Sequence, residues 1–105
     1  MSTSVNIYDI QDFLRIELFY TTELEDEPSS VGIAWQAPDK TEGEWNEPDV
    51  VYNHSTKTAY YDVPKDEPLE AGTWNFRLVL VMPDGRVLPG DVYSHKVLKK
   101  WAVIK

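Results

Sequence analysis

One stretch of ten residues decides the fold: Thr73-Trp74-Asn75-Phe76-Arg77-Leu78-Val79-Leu80-Val81-Met82. From the tryptophan to the methionine, every second residue is large and apolar. Side chains of a β-strand point alternately to the two faces of its sheet, so this pattern predicts a strand with one face in the core. The next three residues, Pro83-Asp84-Gly85, are a tight-turn signal, which predicts a hairpin that returns through residues 86–88.

Shorter segments of the same kind lie on both sides of this strand. They alternate or are rich in β-branched and aromatic residues, and they predict strands at 5–10, 13–20, 31–36, 50–53, 58–63 and 91–97. A bulge or kink is expected at Pro89-Gly90, because proline cannot donate to a sheet ladder. The acidic stretch 23–28, the polar stretch 41–49 and the acidic stretch 64–72 are predicted to be loops, and no segment predicts a helix.

Seven or eight short strands in 105 residues favour one domain, residues 1–105, with the architecture of an immunoglobulin-like β-sandwich. A small barrel is the alternative. The predicted core between the two sheets takes the large apolar residues at every second position of the strands. These residues are Leu14, Ile16, Leu18, Ile33, Trp35, Trp74, Phe76, Leu78 and Leu80.

The composition limits the cellular compartments and the classes of partner that are expected for this chain. Cysteine is absent, which excludes disulfides and thiolate metal sites. The absence of a secretory leader and of an apolar run of about 20 residues predicts a chain that folds in the cytoplasm and has no membrane span. The net charge of −8 disfavours nucleic acid as a partner. The charge is uneven, because residues 86–105 hold five of the ten bases and one of the 18 acids.

No pattern of the sequence indicates catalysis, a cofactor or a metal. His54 and His95 lie 41 positions apart, and neither stands in an arrangement that predicts a catalytic triad. Most acids fall in predicted loops, where charge usually serves solubility. Adjacent loop acids such as Glu25, Asp26 and Glu27 lack the spacing of a calcium-binding loop. We therefore expect a protein that is not an enzyme.

Two features are candidates for an interface. Trp45 lies in the predicted polar loop, where it either anchors a partner or folds back over a sheet edge. The C-terminal tail, residues 98–105, combines the bases Lys99 and Lys100 with the apolar Trp101. It is either the last strand of its own sheet or an arm that pairs with the open edge of a neighbour, and the former is favoured.

Four motifs resemble a small immunoglobulin-like β-sandwich module that is encoded in phage and prophage genomes. They are Pro28-Ser29-Ser30-Val31, Ala37-Pro38-Asp39-Lys40, Ala59-Tyr60-Tyr61-Asp62-Val63 and Ala71-Gly72-Thr73-Trp74-Asn75-Phe76-Arg77. The sequence departs from that pattern in its turns: Gln11-Asp12 stands in place of Gly-Asp, Glu27 in place of Asp, and Lys40 in place of Gly. The resemblance implies a structural or accessory role and no catalytic residue.

These observations predict a non-enzymatic structural or adaptor module that acts through contacts with other protein subunits, a second copy of the chain among them. If the phage resemblance holds, the module is expected in a virion after its synthesis in the cytoplasm. The alternative is a carbohydrate- or ligand-binding sandwich, with Trp45 and exposed tyrosines as its stacking surface.

Overall fold

The computed structural model describes residues 3–10, 13–24, 26–64 and 70–97 of the chain. These residues form eight β-strands and no helix, so none of them belongs to a helix that is long and apolar enough to cross a membrane. In chain order the strands are β1 (Thr3–Ile10), β2 (Phe13–Tyr20), β3 (Ser30–Gln36), β4 (Glu42–Asn46), β5 (Val51–Asn53), β6 (Thr58–Pro64), β7 (Gly72–Val81) and β8 (Val87–Val97).

The strands form two antiparallel sheets of four strands each. The first sheet has the order β1-β2-β6-β5, and the second sheet has the order β4-β3-β7-β8. The side chains that alternate inward from both sheets form one apolar cluster between them. The prediction of an all-β, two-sheet fold is therefore confirmed.

The predicted core is confirmed with one difference. Eight of its nine residues are buried, and Ile16, Leu18, Ile33, Leu78 and Leu80 have no exposed surface. Burial of each such side chain contributes about 1.5–3 kcal/mol relative to leaving it in water. Trp35 differs because it packs against this core but is only partly buried.

The hairpin after β7 is confirmed in detail. The backbone N–H of Met82 donates to the carbonyl of Arg86 (2.8 Å), and the N–H of Gly85 donates to the carbonyl of Met82 (2.9 Å). Gly85 has a φ of 90°, in the left-handed region that glycine adopts without a steric penalty. The turn therefore uses the residue type that its geometry requires.

The two predicted segments after this turn are one strand, β8. Its ladder with β7 shifts register where Leu78 of β7 faces both Gly90 and Asp91 of β8, which confirms the expected bulge. The extra residue lets β8 continue past Pro89 instead of ending there. A Cβ on Gly90 would lie 2.7 Å from Thr3 Cγ2, so the close approach of β1 also requires glycine at the bulge.

The prediction of a loop over residues 41–49 is wrong, because residues Glu42–Asn46 form β4, an edge strand of the second sheet. Glutamate, glycine and asparagine are poor strand formers, which is why the segment resembled a loop. Pairing with β3 and the inward packing of Trp45 outweigh these local preferences.

The turn between β3 and β4 holds a lysine in a left-handed conformation. Lys40 has a φ of 74°, in the left-handed region that favours glycine. The N–H of Thr41 donates to Asp39 Oδ1 (2.9 Å), and the N–H of Lys40 donates to the carbonyl of Ala37 (2.9 Å). These hydrogen bonds hold the turn although the conformation costs lysine about 1 kcal/mol.

Candidate functional site

Four side chains form a hydrogen-bonded line across the outer face of the second sheet. Ser94 Oγ donates to Asn75 Oδ1 (2.6 Å), and Asn75 Nδ2 donates to Gln36 Oε1 (2.9 Å). Gln36 Nε2 then donates to Glu42 Oε2 (3.2 Å). The ladder register places these residues opposite one another on four neighbouring strands. The line sets the orientation of both amide groups, and each retains a second N–H that can donate to a bound group.

The next line across this face has a small residue at its centre. Ala34 of β3 lies opposite Glu44 of β4 on one side and Arg77 of β7 on the other. A shallow depression of about 260 Å³ lies over Ala34, and Gln36, Asn75, Arg77 and Val92 are among the residues that line it. The second sheet thus presents an indented surface without the walls of a deep cleft.

The two charged side chains beside Ala34 are not used in the polar interactions that hold the described part of the fold together. Arg77 and Glu44 are both exposed, and neither forms a hydrogen bond or ion pair with another residue in the described part of the chain. A guanidinium carries five donors in a planar fork, which suits it to bind a carboxylate in two places. Arg77 is therefore available for a partner.

A different cluster lies on the outer face of the first sheet. Arg15 Nε donates to Asp62 Oδ1 (2.8 Å) and Arg15 Nη2 donates to Asp62 Oδ2 (3.1 Å), a bidentate pair between β2 and β6. The hydrogen bond with Asp62 raises the pKa of Arg15 above its usual value. The two residues are about 30% exposed, so the pair contributes less to stability than its geometry suggests.

Aromatic rings surround this ion pair. The Arg15 guanidinium carbon lies 3.9 Å from the centre of the Tyr60 ring and 5.3 Å from that of Phe13. Tyr8, which lies opposite Arg15 in the ladder, is 44% exposed. Tyr60 and Phe13 are partly buried. The arrangement is an aromatic platform with fixed polar groups at its centre, which is suited to stacking against a flat ligand.

Trp45, the predicted loop tryptophan, belongs to the aromatic packing between the sheets. Its ring stacks on Tyr61 with centroids 4.2 Å apart and an interplanar angle of 11°, and it lies 5.9 Å from the Phe76 ring. The Trp35 ring is tilted by 37° against it, with the ring centroids 6.2 Å apart. Because most of its surface is used in this way, Trp45 stabilises the edge strand β4, and its role as an interface anchor stays a prediction.

The remaining interface candidates, Lys99, Lys100 and Trp101, lie outside the described residues. The histidines do not come together, since His54 follows β5 of the first sheet and His95 lies in β8 of the second. His54 Nδ1 is hydrogen-bonded to the hydroxyl of Tyr52 (2.9 Å), which is bonded in turn to that of Tyr20 (2.6 Å). Burial and the hydroxyl of Tyr20 raise the pKa of Tyr52. These hydrogen bonds tie β2 to β5.

His95 gives the fold a pH dependence. Partial burial opposite Trp74 lowers the pKa of His95 below its usual 6.5. The unfolded chain then binds a proton at this residue more readily than the folded chain does. We expect the free energy of unfolding to fall as the pH decreases below about 6.5, and His95→Gln to remove part of that decrease.

Urea unfolding of both proteins between about pH 7.5 and about pH 5 measures this difference, because the carboxylates that titrate at lower pH are common to both. Parallel curves for wild type and His95→Gln over that range would contradict the assignment.

Several acids of the loops and turns are committed to local structure. Glu47 Oε1 accepts the N–H of Val31 (2.8 Å), and Glu23 Oε1 accepts from Lys57 Nζ (2.6 Å), which lowers the pKa of Glu23. Asp84 accepts the N–H of Arg86 in the hairpin turn (3.0 Å), and its pKa is lowered for that reason. No group of three or more metal-ligating side chains occurs among the residues that the structure describes.

Both candidate faces include residues that sequence reasoning missed. Arg15 and Asp62 are 47 positions apart, and Glu44 was assigned to a loop. One available signal was the outward position of Arg15 and Arg77 in their strands, which placed both guanidinium groups on sheet surfaces. Their partners and neighbours depend on the order of the strands, which the sequence does not display.

Comparison with known proteins supports the fold alone. No protein-family model and no curated protein matches the chain. Among solved structures, a polysaccharide deacetylase from Bacillus cereus is similar over 91% of this chain, with a TM-score of 0.60 and 13% sequence identity. The match covers 30% of the deacetylase, so the chain corresponds to less than a third of that protein. At this identity, the similarity shows a shared arrangement of strands.

Proposed function

We propose that the chain is a non-enzymatic structural or adaptor module with an immunoglobulin-like arrangement of strands. The strand orders support this arrangement. The order β1-β2-β6-β5 corresponds to strands A, B, E and D of that fold, and the order β4-β3-β7-β8 corresponds to strands C′, C, F and G. A phage or prophage setting rests on the turn and strand motifs of the sequence.

The outer face of the second sheet carries the functional part of the proposal. It is broad and only shallowly indented, it presents Arg77 and Glu44 without partners, and its amide groups are held in set orientations. Val92 of β8 adds apolar surface that is 51% exposed. Apolar area beside oriented polar groups suits a protein surface, whereas a small substrate needs a pocket that encloses it.

Co-purification with the products of the genes that flank its own gene tests this proposal. The tagged full-length chain is expected to retain at least one of these subunits, and Arg77→Glu is expected to lose it because the positive guanidinium on the face is replaced by a negative carboxylate. Arg86→Glu makes the same change of charge in the exposed β7–β8 turn and should retain the subunit. The proposal fails if the chain binds neither a flanking-gene product nor a second copy of itself, or if both variants behave like wild type.

A second candidate is a carbohydrate-binding module that uses the outer face of the first sheet. It is favoured by the platform of Tyr8, Phe13 and Tyr60 around the Arg15–Asp62 pair, since stacked rings beside fixed polar groups suit a sugar ring. If a panel of polysaccharides binds the wild type, and Tyr60→Ala but not Arg77→Glu loses that binding, this second function replaces the first.

A further inference from the structure

We propose that the outer face of the second sheet binds the same face of a second copy of this chain. The proposal rests on the proposed function in protein contacts and names the partner for that face. The two-fold axis of the proposed dimer lies in the interface, runs parallel to the strands, and passes between β3 and β7. The charges on the face, the order of its strands and the depression over Ala34 support it.

The charges on this face are divided between its two sides. Glu42 and Glu44 of the edge strand β4 are the acids of one side, whereas Arg77 of β7 and Lys96 of β8 are the bases of the other. The chain as a whole has a net charge of −8, so a half whose strands β7 and β8 hold two exposed bases and the single exposed acid Asp91 is unusual on it. A face with opposite charges on its two halves is complementary to itself when one copy is turned over.

The strand order selects the direction of the axis. Rotation by half a turn about an axis parallel to the strands places β4 of one copy over β8 of the other, and β3 of one over β7 of the other. Glu44 of each copy then lies over Val92 and beside Arg77 of the other copy. Glu42 lies over Ser94, two residues along β8 from Lys96. An in-plane axis perpendicular to the strands would place β4 over β4, where the acids would repel one another.

The same rotation places the Arg77 guanidinium of one copy over the depression of the other copy. Because positions along the strands are preserved, Arg77 of each copy lies over Ala34 of the other copy, next to that copy's Glu44. Ala34 leaves space for a guanidinium in the depression of about 260 Å³. Within one chain, Arg77 and Glu44 point from strands on either side of β3 and do not pair. The dimer supplies each of them with a partner, twice per interface.

The size of the face predicts a weak dimer. Four strands about 4.8 Å apart and about seven residues of about 3.3 Å give a surface of roughly 19 × 23 Å. This is at the low end of the area that specific protein interfaces bury, where association is commonly transient. We therefore expect dissociation at micromolar or higher concentrations and a dimer that weakens with salt, because its charged pairs are near solvent.

Sedimentation equilibrium of the full chain from about 10 µM to about 1 mM, at low and high salt, tests the proposal through the concentration dependence of association. Wild type should be in monomer–dimer equilibrium. Arg77→Glu and Glu44→Arg should each raise the dissociation constant about tenfold or more, since each brings like charges together twice. Arg86→Glu is the matched control, because it gives the same net charge of about −10 as Arg77→Glu away from the face.

The decisive arm uses the symmetry of the interface. When Arg77→Glu and Glu44→Arg are mixed, each pair in the mixed dimer joins opposite charges, so the two variants should associate with each other more tightly than either associates with itself. The double variant R77E/E44R should regain self-association for the same reason. Circular dichroism confirms that every variant is folded.

Wild type that stays monomeric at about 1 mM and low salt would overturn the inference. So would equal loss of the dimer in Arg86→Glu, or an absence of mixed dimers. If the chain does not self-associate but a subunit from a flanking gene still binds in an Arg77-dependent manner, the dimer is disproved and the proposed function stands. If both are absent, the proposed function fails with it.

Discussion

Trp74→Ala is expected to lower the free energy of unfolding by about 3–5 kcal/mol, the usual cost of truncating a large core side chain. Trp74 is 6% exposed, lies 5.5 Å from the Trp35 ring and is stacked with Phe76 at 6.3 Å. Its indole N–H also donates to the carbonyl of Glu70 (2.8 Å), which holds the chain ahead of β7. The substitution therefore opens a cavity among the aromatic rings and removes this hydrogen bond.

Chemical denaturation measures this loss, with Val87→Ala as the control on the same sheet. Val87 is 56% exposed, so its truncation should change the free energy of unfolding by about 0.5 kcal/mol or less. A cost below about 1 kcal/mol for Trp74→Ala would mean that its face of β7 does not line the core.

Gly43→Ala is expected to destabilise the fold by about 1–3 kcal/mol, although it adds a single methyl group to a partly exposed edge strand. A Cβ at this position would lie 2.3 Å from Trp35 Cζ2 and 2.7 Å from its Cε2. Trp35 cannot move away freely, because Trp45 and Trp74 contact its ring. Either the tryptophan leaves its rotamer or β4 separates from β3.

The pair Gly43 and Trp35 can be tested as a double-mutant cycle. In a Trp35→Leu background the clash is absent, so Gly43→Ala should cost less than about 0.5 kcal/mol, and the coupling energy should exceed about 0.5 kcal/mol. Additive effects of the two substitutions would show that the ring of Trp35 does not cover Gly43.

The strands that alternate clearly could be predicted from the sequence. In β2 and β7 the large apolar residues occupy every second position, and both strands bury that side. The turn at Pro83-Asp84-Gly85 and the bulge at Pro89-Gly90 were also predictable, because glycine and proline restrict the backbone at the position where they stand. Alternation, turns and bulges of this kind depend on residues that are close together in the sequence.

The strand β4 could not be predicted in this way. Its Glu42-Gly43-Glu44-Trp45-Asn46 sequence has one strong strand former, and Gly43 is favourable there only because the Trp35 ring covers it. Because Trp35 lies eight positions away from Gly43 in the sequence, no pattern of neighbouring residues indicates this strand. The same reason led sequence reasoning to place Trp45 in a loop.

The sequence by itself determined that the chain has two amphipathic sheets, which of its residues line the core and where its tightest turn lies, because alternation and turn chemistry act over a few residues. Only the tertiary structure decided which charges share a face. It joined Arg15 to Asp62 across 47 positions, and it set Arg77 and Glu44 on either side of Ala34. Strand order and register bring such residues together, and both are set by how the sheets pack as a whole.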